Sequence, residues 1–202
     1  PKTPKPLKYD INICEFPMSY FYMDEFGFYL QDAYVKDWVD NSMIFFEVEN
    51  LESIFSALLA IAENSELKIV LPLHPRTKGK LNDQLNPEIL EAIELSDSIK
   101  IIPPAGFLDI IALEKNARMI ITDSGGLQKE SFFFEKPRVI LRPQTEWVEI
   151  VENGNAILAD ASYDRIIDAF NALVMKDDYT YPNYYGDGRA AEFICQTIVD
   201  QI

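Results

Sequence analysis

The residues best able to do chemistry lie in the segment 122–130, which contains Asp123-Ser124-Gly125-Gly126. The apolar run before this tetrapeptide predicts a buried strand, and the residues after it predict a helix. Glycines let the backbone approach a ligand, and the first turn of a helix offers unpaired N–H groups and partial positive charge. The segment therefore suits a diphosphate, with the Ser124 hydroxyl as a donor and Glu130 as an acceptor for ribose hydroxyls.

The same segment also fits a plain strand-to-helix turn that binds nothing. In that interpretation Asp123 or Ser124 caps the helix with its side-chain oxygen, as short polar residues commonly do. A Ser-Gly-Gly sequence does not separate the two interpretations, and both stay open at this point.

A second segment, residues 71–78, contains His74, which is the only histidine, together with Arg76 and Lys78. These basic residues follow a predicted strand in a very acidic chain, so they could form an anion-facing edge. The alternative is a surface turn with solvated charges and a structural histidine.

Two further segments combine turn and helix signals. In residues 141–149, Thr145 can cap the helix predicted at 148–152, and Glu149 would lie in its first turns. Residues 184–191 predict a turn followed by a C-terminal helix. Capping alone, or a plain turn, would also explain these two patterns.

Strands and helices are predicted to alternate along the chain from residue 43. Apolar runs predict strands at 43–46, 67–73, 99–102, 117–122, 138–141 and 155–158. Helical spacing predicts helices at 51–62, with Asn50 as a possible N-cap, and at 89–95, 108–113, 126–135, 148–152, 166–174 and 189–202. This order predicts a Rossmann-like three-layer α/β/α domain with a mainly parallel sheet. Ligands of such sheets bind beyond the carboxyl ends of the strands, here the loops 47–50, 74–78, 103–107, 123–126 and 142–146.

Composition limits the class of partner. The chain has 202 residues and a formal net charge of −15, which argues against binding to nucleic acid or to anionic membranes. No apolar run approaches the roughly 20 residues of a membrane span. Cys14 and Cys195 lie far apart and predict reduced thiols in a cytoplasmic protein. We expect neither a cofactor nor a metal ion.

Residues 1–42 differ from the rest of the chain. A Pro/Lys-rich opening leads into the aromatic-rich stretch 16–29, which has no clean period. We expect an N-terminal extension or linker that packs its aromatic side chains on the domain at 43–202, or else an interaction surface for a missing domain or partner. The first residue is Pro1, so a processed or truncated chain is expected.

Taken together, the four segments resemble the non-hydrolysing UDP-N-acetylglucosamine 2-epimerases over residues 43–202. The family's His-Pro-Arg-Thr, Asp-Ser-Gly-Gly-(Ile/Leu)-Gln-x-Glu, Gly-Lys-Pro, Arg-x-x-Thr-Glu and Tyr-Gly-Asp-Gly-x-Ala patterns appear in the same order, at 74–77, 123–130, 135–137, 142–146 and 185–190. Glu135 replaces the glycine of the third pattern.

The resemblance implies the C-terminal domain of a GT-B enzyme, in which two Rossmann-like domains flank the active site. It implies that Ser124, Gly125 and Gly126 hold the diphosphate and that Glu130 holds the ribose. It also places Phe107 near the uracil and Arg142 in the substrate site, with His74 and Arg76 at the cleft edge near substrate or a regulatory nucleotide. The expected partners are UDP or a UDP-amino sugar, a complementary N-terminal domain and a second copy in a homodimer.

Departures from the family pattern bear on activity. Family members invert C2 of a UDP-HexNAc by eliminating and re-adding UDP, and the reaction needs acidic residues from an N-terminal domain. Phe46 and Glu47 stand where the family carries His-Arg, and Lys129 and Trp147 replace more usual residues. Three hypotheses follow: a UDP-sugar-binding half of an epimerase, a degenerate non-catalytic nucleotide-sugar-binding or interaction module, and the donor-binding half of a glycosyltransferase.

Overall fold

A computed structural model describes residues 48–73 and 75–201, without the side chains of residues 75–77 and 80. The elements in chain order are α1 (Val48–Asn64), β1 (Ile69–Pro72), α2 (Pro75–Gln84), α3 (Pro87–Leu95), β2 (Ile99–Ile102), α4 (Phe107–Asn116), β3 (Ile120–Thr122), α5 (Gly125–Phe133), β4 (Arg138–Ile140), α6 (Val148–Glu152), β5 (Ala156–Leu158), α7 (Tyr163–Met175) and α8 (Ala190–Asp200). None of the helices within these ranges is long and apolar enough to cross a membrane. The predicted strand at 43–46 and the aromatic stretch at 16–29 lie outside the described residues.

All strand pairs in the described ranges are parallel. β1 pairs with β2 in register Ile69↔Ile99, and β4 lies between β3 and β5. Hydrogen bonds thus join the strands into a group of two and a group of three. The parallel sheet expected from the βα alternation is present, with its ladder divided between these groups.

The core lies on both faces of these strands. In β1, Ile69 and Leu71 enter the largest apolar cluster, whereas Val70 between them enters a second cluster on the other face. Helices α1, α2, α3 and α7 supply buried residues to the first cluster, and α4, α5 and α6 supply the opposite face. Burial on both faces explains the uninterrupted apolar runs of the strands, and the predicted three-layer α/β/α architecture is confirmed.

The helix starts follow local capping chemistry. Asn86 caps α3, because its Oδ1 accepts the Glu88 N–H at 2.9 Å and Pro87 occupies the first helical position. Asn50, expected as an N-cap, lies inside α1, which also packs on α7 through a 2.7 Å hydrogen bond from the Tyr163 N–H to Ser53 Oγ.

Two of the five predicted ligand loops are wrong. Residues 75–78 belong to α2, and residues 48–50 belong to α1. Pro75 follows the predicted strand 67–73, where a proline indicates the end of a strand. Proline equally suits the first position of a helix, because its missing N–H has no helical partner there. The other three loops follow β2, β3 and β4 as expected, apart from Phe107, Gly125 and Gly126, which already lie in helices.

Candidate functional site

Ser124 forms the start of α5. Its backbone N–H donates to Oγ1 of the buried Thr122 at 3.0 Å, and its own Oγ accepts the Leu127 N–H at 3.4 Å. Ser124 is therefore the N-cap of α5, as expected for a strand-to-helix turn. The cap uses only a lone pair of the hydroxyl oxygen, so the O–H can still donate. Gly125 and Gly126 lie in the first turn of α5, where backbone N–H groups have no acceptor within the helix and can bind an anion.

Gly125 is required by its surroundings. A Cβ at this position would collide with the Glu146 carboxylate and would lie 3.6 Å from Nη1 of Arg142. On the other side, Nε1 of Trp147 donates to the Gly125 carbonyl oxygen at 2.8 Å. The loop after β4 thus packs directly on the backbone at the start of α5, a contact that only glycine allows.

Strand pairing brings Arg142 to this place. Thr122 at the end of β3 is in register with Ile140 at the end of β4, and the Leu141 N–H donates to the Thr122 carbonyl at 2.9 Å. Arg142, the next residue, forms an ion pair with Glu146 at 3.0 Å, with the two side chains 21% and 32% exposed. A guanidinium group therefore lies beside the first turn of α5, with its carboxylate partner seated on Gly125.

Thr145 has a different role from the one expected. Its hydroxyl donates to Oε1 of the buried Gln128 at 2.5 Å and accepts the Trp147 N–H at 3.1 Å. The N-cap position of α6 is held by Trp147, whose side chain does not cap the helix. The prediction that Thr145 caps α6 is therefore wrong, because its hydroxyl instead fixes the loop to α5.

An aromatic cluster fastens the C-terminal segment to α5, and the sequence did not predict it. The Lys129 ammonium lies 4.5 Å from the centre of the Tyr185 ring and 4.8 Å from that of Trp147. The Tyr185 hydroxyl donates to Oε1 of Glu149 at 2.8 Å, and burial together with this bond raises the pKa of Tyr185. The turn predicted at 184–191 is confirmed, with Gly186 and Gly188 at positive φ before α8. The only signal in the sequence was that Lys129 and Trp147 both depart from the family pattern.

Glu130 lies half-buried on α5, next to a second carboxyl group that sequence reasoning missed. Glu114 on α4 is 0% exposed, and burial first, then the charge of Glu130, raise its pKa to about 8. Arg138 works in the opposite direction but is itself fully buried, and it donates to the carbonyl groups of Gln128 at 2.5 Å and Lys136 at 2.6 Å. Burial lowers the Arg138 pKa to about 10, which leaves its charge in place at neutral pH. A glutamate near the end of an amphipathic helix ordinarily faces solvent, so the burial of Glu114 could not be predicted from the sequence.

The predicted site residues divide into two groups. The structure brings together Ser124, Gly125, Gly126, Glu130 and Arg142 around the first turns of α5.

The remaining predicted residues lie apart from this group or cannot be placed. Phe107 is the first residue of α4 and its side chain is 70% exposed; α4 lies beside α5, since Ile110 and Leu127 share one apolar cluster. His74 lies outside the described residues, and Arg76 is near the start of α2.

The fold and site define a class: a Rossmann-like α/β domain in which an arginine lies beside the capped, glycine-containing start of a helix. The sequence model of a family described as "UDP-N-acetylglucosamine 2-epimerase" matches residues 44–199. The chain belongs to this family.

Relatives at moderate identity support the assignment. A UDP-N-acetylglucosamine 2-epimerase homolog of Methanococcus maripaludis is 39% identical over 150 residues, which are 74% of this chain and 40% of the relative. The UDP-2,3-diacetamido-2,3-dideoxy-D-glucuronate 2-epimerase of Pseudomonas aeruginosa is 39% identical over 72% of this chain and 38% of its own length. The chain thus spans about two-fifths of the length of these curated relatives.

A solved structure shares the fold. The UDP-GlcNAc 2-epimerase of Methanocaldococcus jannaschii, crystallised in complex with UDP-GlcNAc and UDP, superimposes with a TM-score of 0.71 at 29% identity. The match covers 91% of this chain and 45% of that one.

Proposed function

We propose that this chain is the UDP-sugar-binding domain of a UDP-N-acetylglucosamine 2-epimerase-like enzyme. One observation carries the proposal: the Ser124-capped start of α5 has glycine at both of its first positions and the Arg142 guanidinium beside it. Helix dipole, unpaired N–H groups and a cation converge there, which suits a diphosphate. A related enzyme of the same family, from M. jannaschii, is described in complex with UDP-GlcNAc and UDP.

Each residue has a proposed role. The N–H groups of Gly125 and Gly126 and the Ser124 hydroxyl donate to diphosphate oxygens, and Glu130 accepts the ribose hydroxyls. Arg142 exchanges its ion pair with Glu146 for a phosphate oxygen, because both anions compete for the same guanidinium. The exposed ring of Phe107, at the head of the neighbouring helix, is available to stack on the uracil.

The proposed reaction is inversion at C2 of a UDP-amino sugar by elimination of UDP and its re-addition to the opposite face. The groups above stabilise the departing diphosphate, whereas removal of the C2 proton requires general bases. We assign those bases to a complementary N-terminal domain, because the chain spans about two-fifths of its relatives. By this proposal the chain alone binds UDP but does not epimerise.

We propose that such a domain covers α8. This helix has no buried residue, and its apolar side chains are exposed, namely Phe193, Ile194, Ile198 and Val199. Exposed apolar side chains of this number on one short helix favour a covered position in the complete protein. A homodimer remains a further proposed assembly, and the cytoplasm is the proposed location, consistent with the free thiol of Cys195.

A second candidate function is a non-catalytic nucleotide-sugar-binding module. It is favoured by Phe46 and Glu47, which stand where the family carries His-Arg. A phenyl ring cannot transfer a proton, and a carboxylate at the second position would repel a diphosphate. Both candidates predict UDP binding, and only the first predicts epimerase activity when an N-terminal domain is supplied.

Calorimetric titration of the chain with UDP tests the shared claim. The double variant Ser124→Ala/Glu130→Ala should bind UDP at least about tenfold more weakly than the wild type, a loss of about 1.4 kcal/mol or more. The matched control is Ser96→Ala/Glu91→Ala. These two residues precede the amino end of β2, away from the carboxyl ends of the strands, so this variant should bind like the wild type. Equal affinity in both double variants and the wild type would remove the assignment of the site.

A further inference from the structure

The buried carboxyl group of Glu114 has no assigned role in the proposed function. It lies near the end of α4, it is 0% exposed, and neither of its oxygens has a hydrogen-bond donor among the described residues. One polar group beside it is another carboxyl, that of Glu130 on α5. A buried carboxylate without a donor is strongly unfavourable, so this arrangement needs a physical explanation.

The cations near Glu114 do not supply that explanation. Arg138 of β4 attracts it, but among the described residues no ion pair links the two: the Arg138 Nη groups donate to two backbone carbonyls, and its buried Nε donates to neither Glu114 oxygen. The adjacent Lys115 has its ammonium 5.8 Å from the Phe134 ring. Among the described residues, the charged groups that face Glu114 are therefore Glu130 from α5 and Arg138 from β4.

Two carboxyl groups can hydrogen-bond to each other only if one of them carries a proton. Glu114 is fully buried and Glu130 is partly exposed, so the proton resides on Glu114, where a charge costs more. Its carboxyl O–H then has an acceptor in the Glu130 carboxylate. The burial that raises the Glu114 pKa to about 8 agrees with this distribution.

Building on the proposed function, we propose that Glu114 is a positioning residue whose carboxyl O–H donates to the Glu130 carboxylate and fixes it in the orientation that accepts the ribose hydroxyls. One side of the Glu130 carboxylate is thereby occupied from within the protein. The other carboxylate oxygen is then left for the ribose hydroxyls of the proposed site. Binding of a ribose at this site thus depends on a second carboxyl group that never contacts the nucleotide.

A pH dependence of nucleotide affinity follows. Above about pH 8, Glu114 loses its proton, the hydrogen bond is lost, and the two carboxylates repel each other. The UDP phosphates do not change charge between pH 7 and pH 9, because the second pKa of a terminal phosphate is about 6. The UDP affinity of the wild type should therefore fall as the pH rises from about 7 to about 9.

Two variants of the full chain separate positioning from packing. Glu114→Gln keeps an N–H donor for Glu130, so it should bind UDP at pH 7 like the wild type and lose most of the decrease toward pH 9. Glu114→Met keeps the volume without the donor, so at pH 7 it should bind about tenfold more weakly than the wild type, and its affinity should not change toward pH 9. Calorimetry at several pH values, with thermal unfolding to verify folding, gives these profiles. A Glu114→Gln profile that still falls like the wild type overturns the proposal, even if Glu114→Met does not fold.

A measurement without nucleotide distinguishes this proposal from the proposed function. In the nucleotide-free chain, carbon-13 NMR of the glutamate carboxyls should show one resonance that titrates near pH 8 and is absent from Glu114→Gln. If UDP binds and this resonance does not exist, only the positioning role is overturned. If the resonance exists but UDP does not bind at any pH, the carboxyl pair stands, and the proposed function and the nucleotide role of Glu114 both fall.

Discussion

The Lys129 ammonium lies 4.8 Å from the centre of the Trp147 ring, and the indole N–H of Trp147 donates to the carbonyl of Gly125. Two of the residues that depart from the usual family sequence are therefore in contact, and one of them touches the backbone of the candidate site. The Tyr185 ring completes the arrangement from the C-terminal segment. Lys129 and Trp147 thus join α5, the loop after β4 and the C-terminal segment around Tyr185 by direct contacts.

The contact between Lys129 and Trp147 should contribute measurably to stability. Lys129→Met is expected to lower the free energy of unfolding by about 0.5–2 kcal/mol, since a cation near two aromatic faces is partly shielded from water. The effect should largely vanish in a Trp147→Leu/Tyr185→Leu background. Urea unfolding of the single and combined variants gives the coupling energy, with Lys100→Met, an exposed lysine on β2, as the control. Additive losses of stability in the combined variants would show that the contact contributes no coupling energy.

Gly125 should tolerate no side chain. Gly125→Ala places a Cβ against the Glu146 carboxylate, so we expect a loss of about 1–3 kcal/mol in stability and at least about tenfold weaker UDP binding. Adding Glu146→Ala should restore part of the stability, because it removes the carboxylate that clashes with the new Cβ. Gly79→Ala on α2 is the matched control: among the described residues no atom lies within 4 Å of its Cβ, and alanine favours a helix. Equal stability of the Gly125 and Gly79 variants would contradict the close approach.

The Arg142–Glu146 ion pair should act in opposite directions in two variants. Arg142→Met removes a phosphate donor and should weaken UDP binding about tenfold. Glu146→Gln removes the competing anion beside the first turn of α5, so it should leave UDP binding unchanged or make it stronger. Calorimetry of both variants in one buffer checks the signs. Weaker binding in Glu146→Gln would mean that Glu146 supports the nucleotide instead of competing with it.

Stability should fall with pH because of Glu114. Its pKa is raised from 4.5 to about 8 in the folded chain, so the folded state holds the proton more tightly than the unfolded state. The resulting stabilisation is fully present below about pH 4.5 and is lost as the pH rises to about 8, at up to about 1.4 kcal/mol per pH unit. Relative to the wild type, Glu114→Gln should therefore gain stability as the pH rises from 5 to 8. Urea unfolding over this range measures the difference, and a difference that is independent of pH would contradict the assignment.

Much of this architecture could be predicted from the sequence, because local patterns determine it. The apolar runs predicted β2 at its observed bounds, and the Ser-Gly-Gly pattern marked the start of α5. Pro75 was misleading, since proline suits both the end of a strand and the first position of a helix, so α2 was missed.

The contacts that complete the site could not be predicted in this way. The Glu114–Glu130 pair and the contact between Trp147 and Gly125 join residues 16 and 22 positions apart, which only the packing of neighbouring elements brings together. The helical pattern of α4 gave Glu114 no distinguishing mark, because a glutamate at a helix end ordinarily lies in water. Long-range packing of polar groups therefore remains the part of the site that a single sequence does not reveal.

The central claim, a diphosphate site at the start of α5, is tested most directly by the amide resonances of the glycines. In a nitrogen-15 NMR titration of the chain with UDP, the signals of Gly125 and Gly126 should shift saturably. Uridine, which lacks the phosphates, should shift them far less, and Gly79 and Gly154 should stay in place. Saturable UDP shifts that leave Gly125 and Gly126 unchanged, or no shifts at all, would contradict the account.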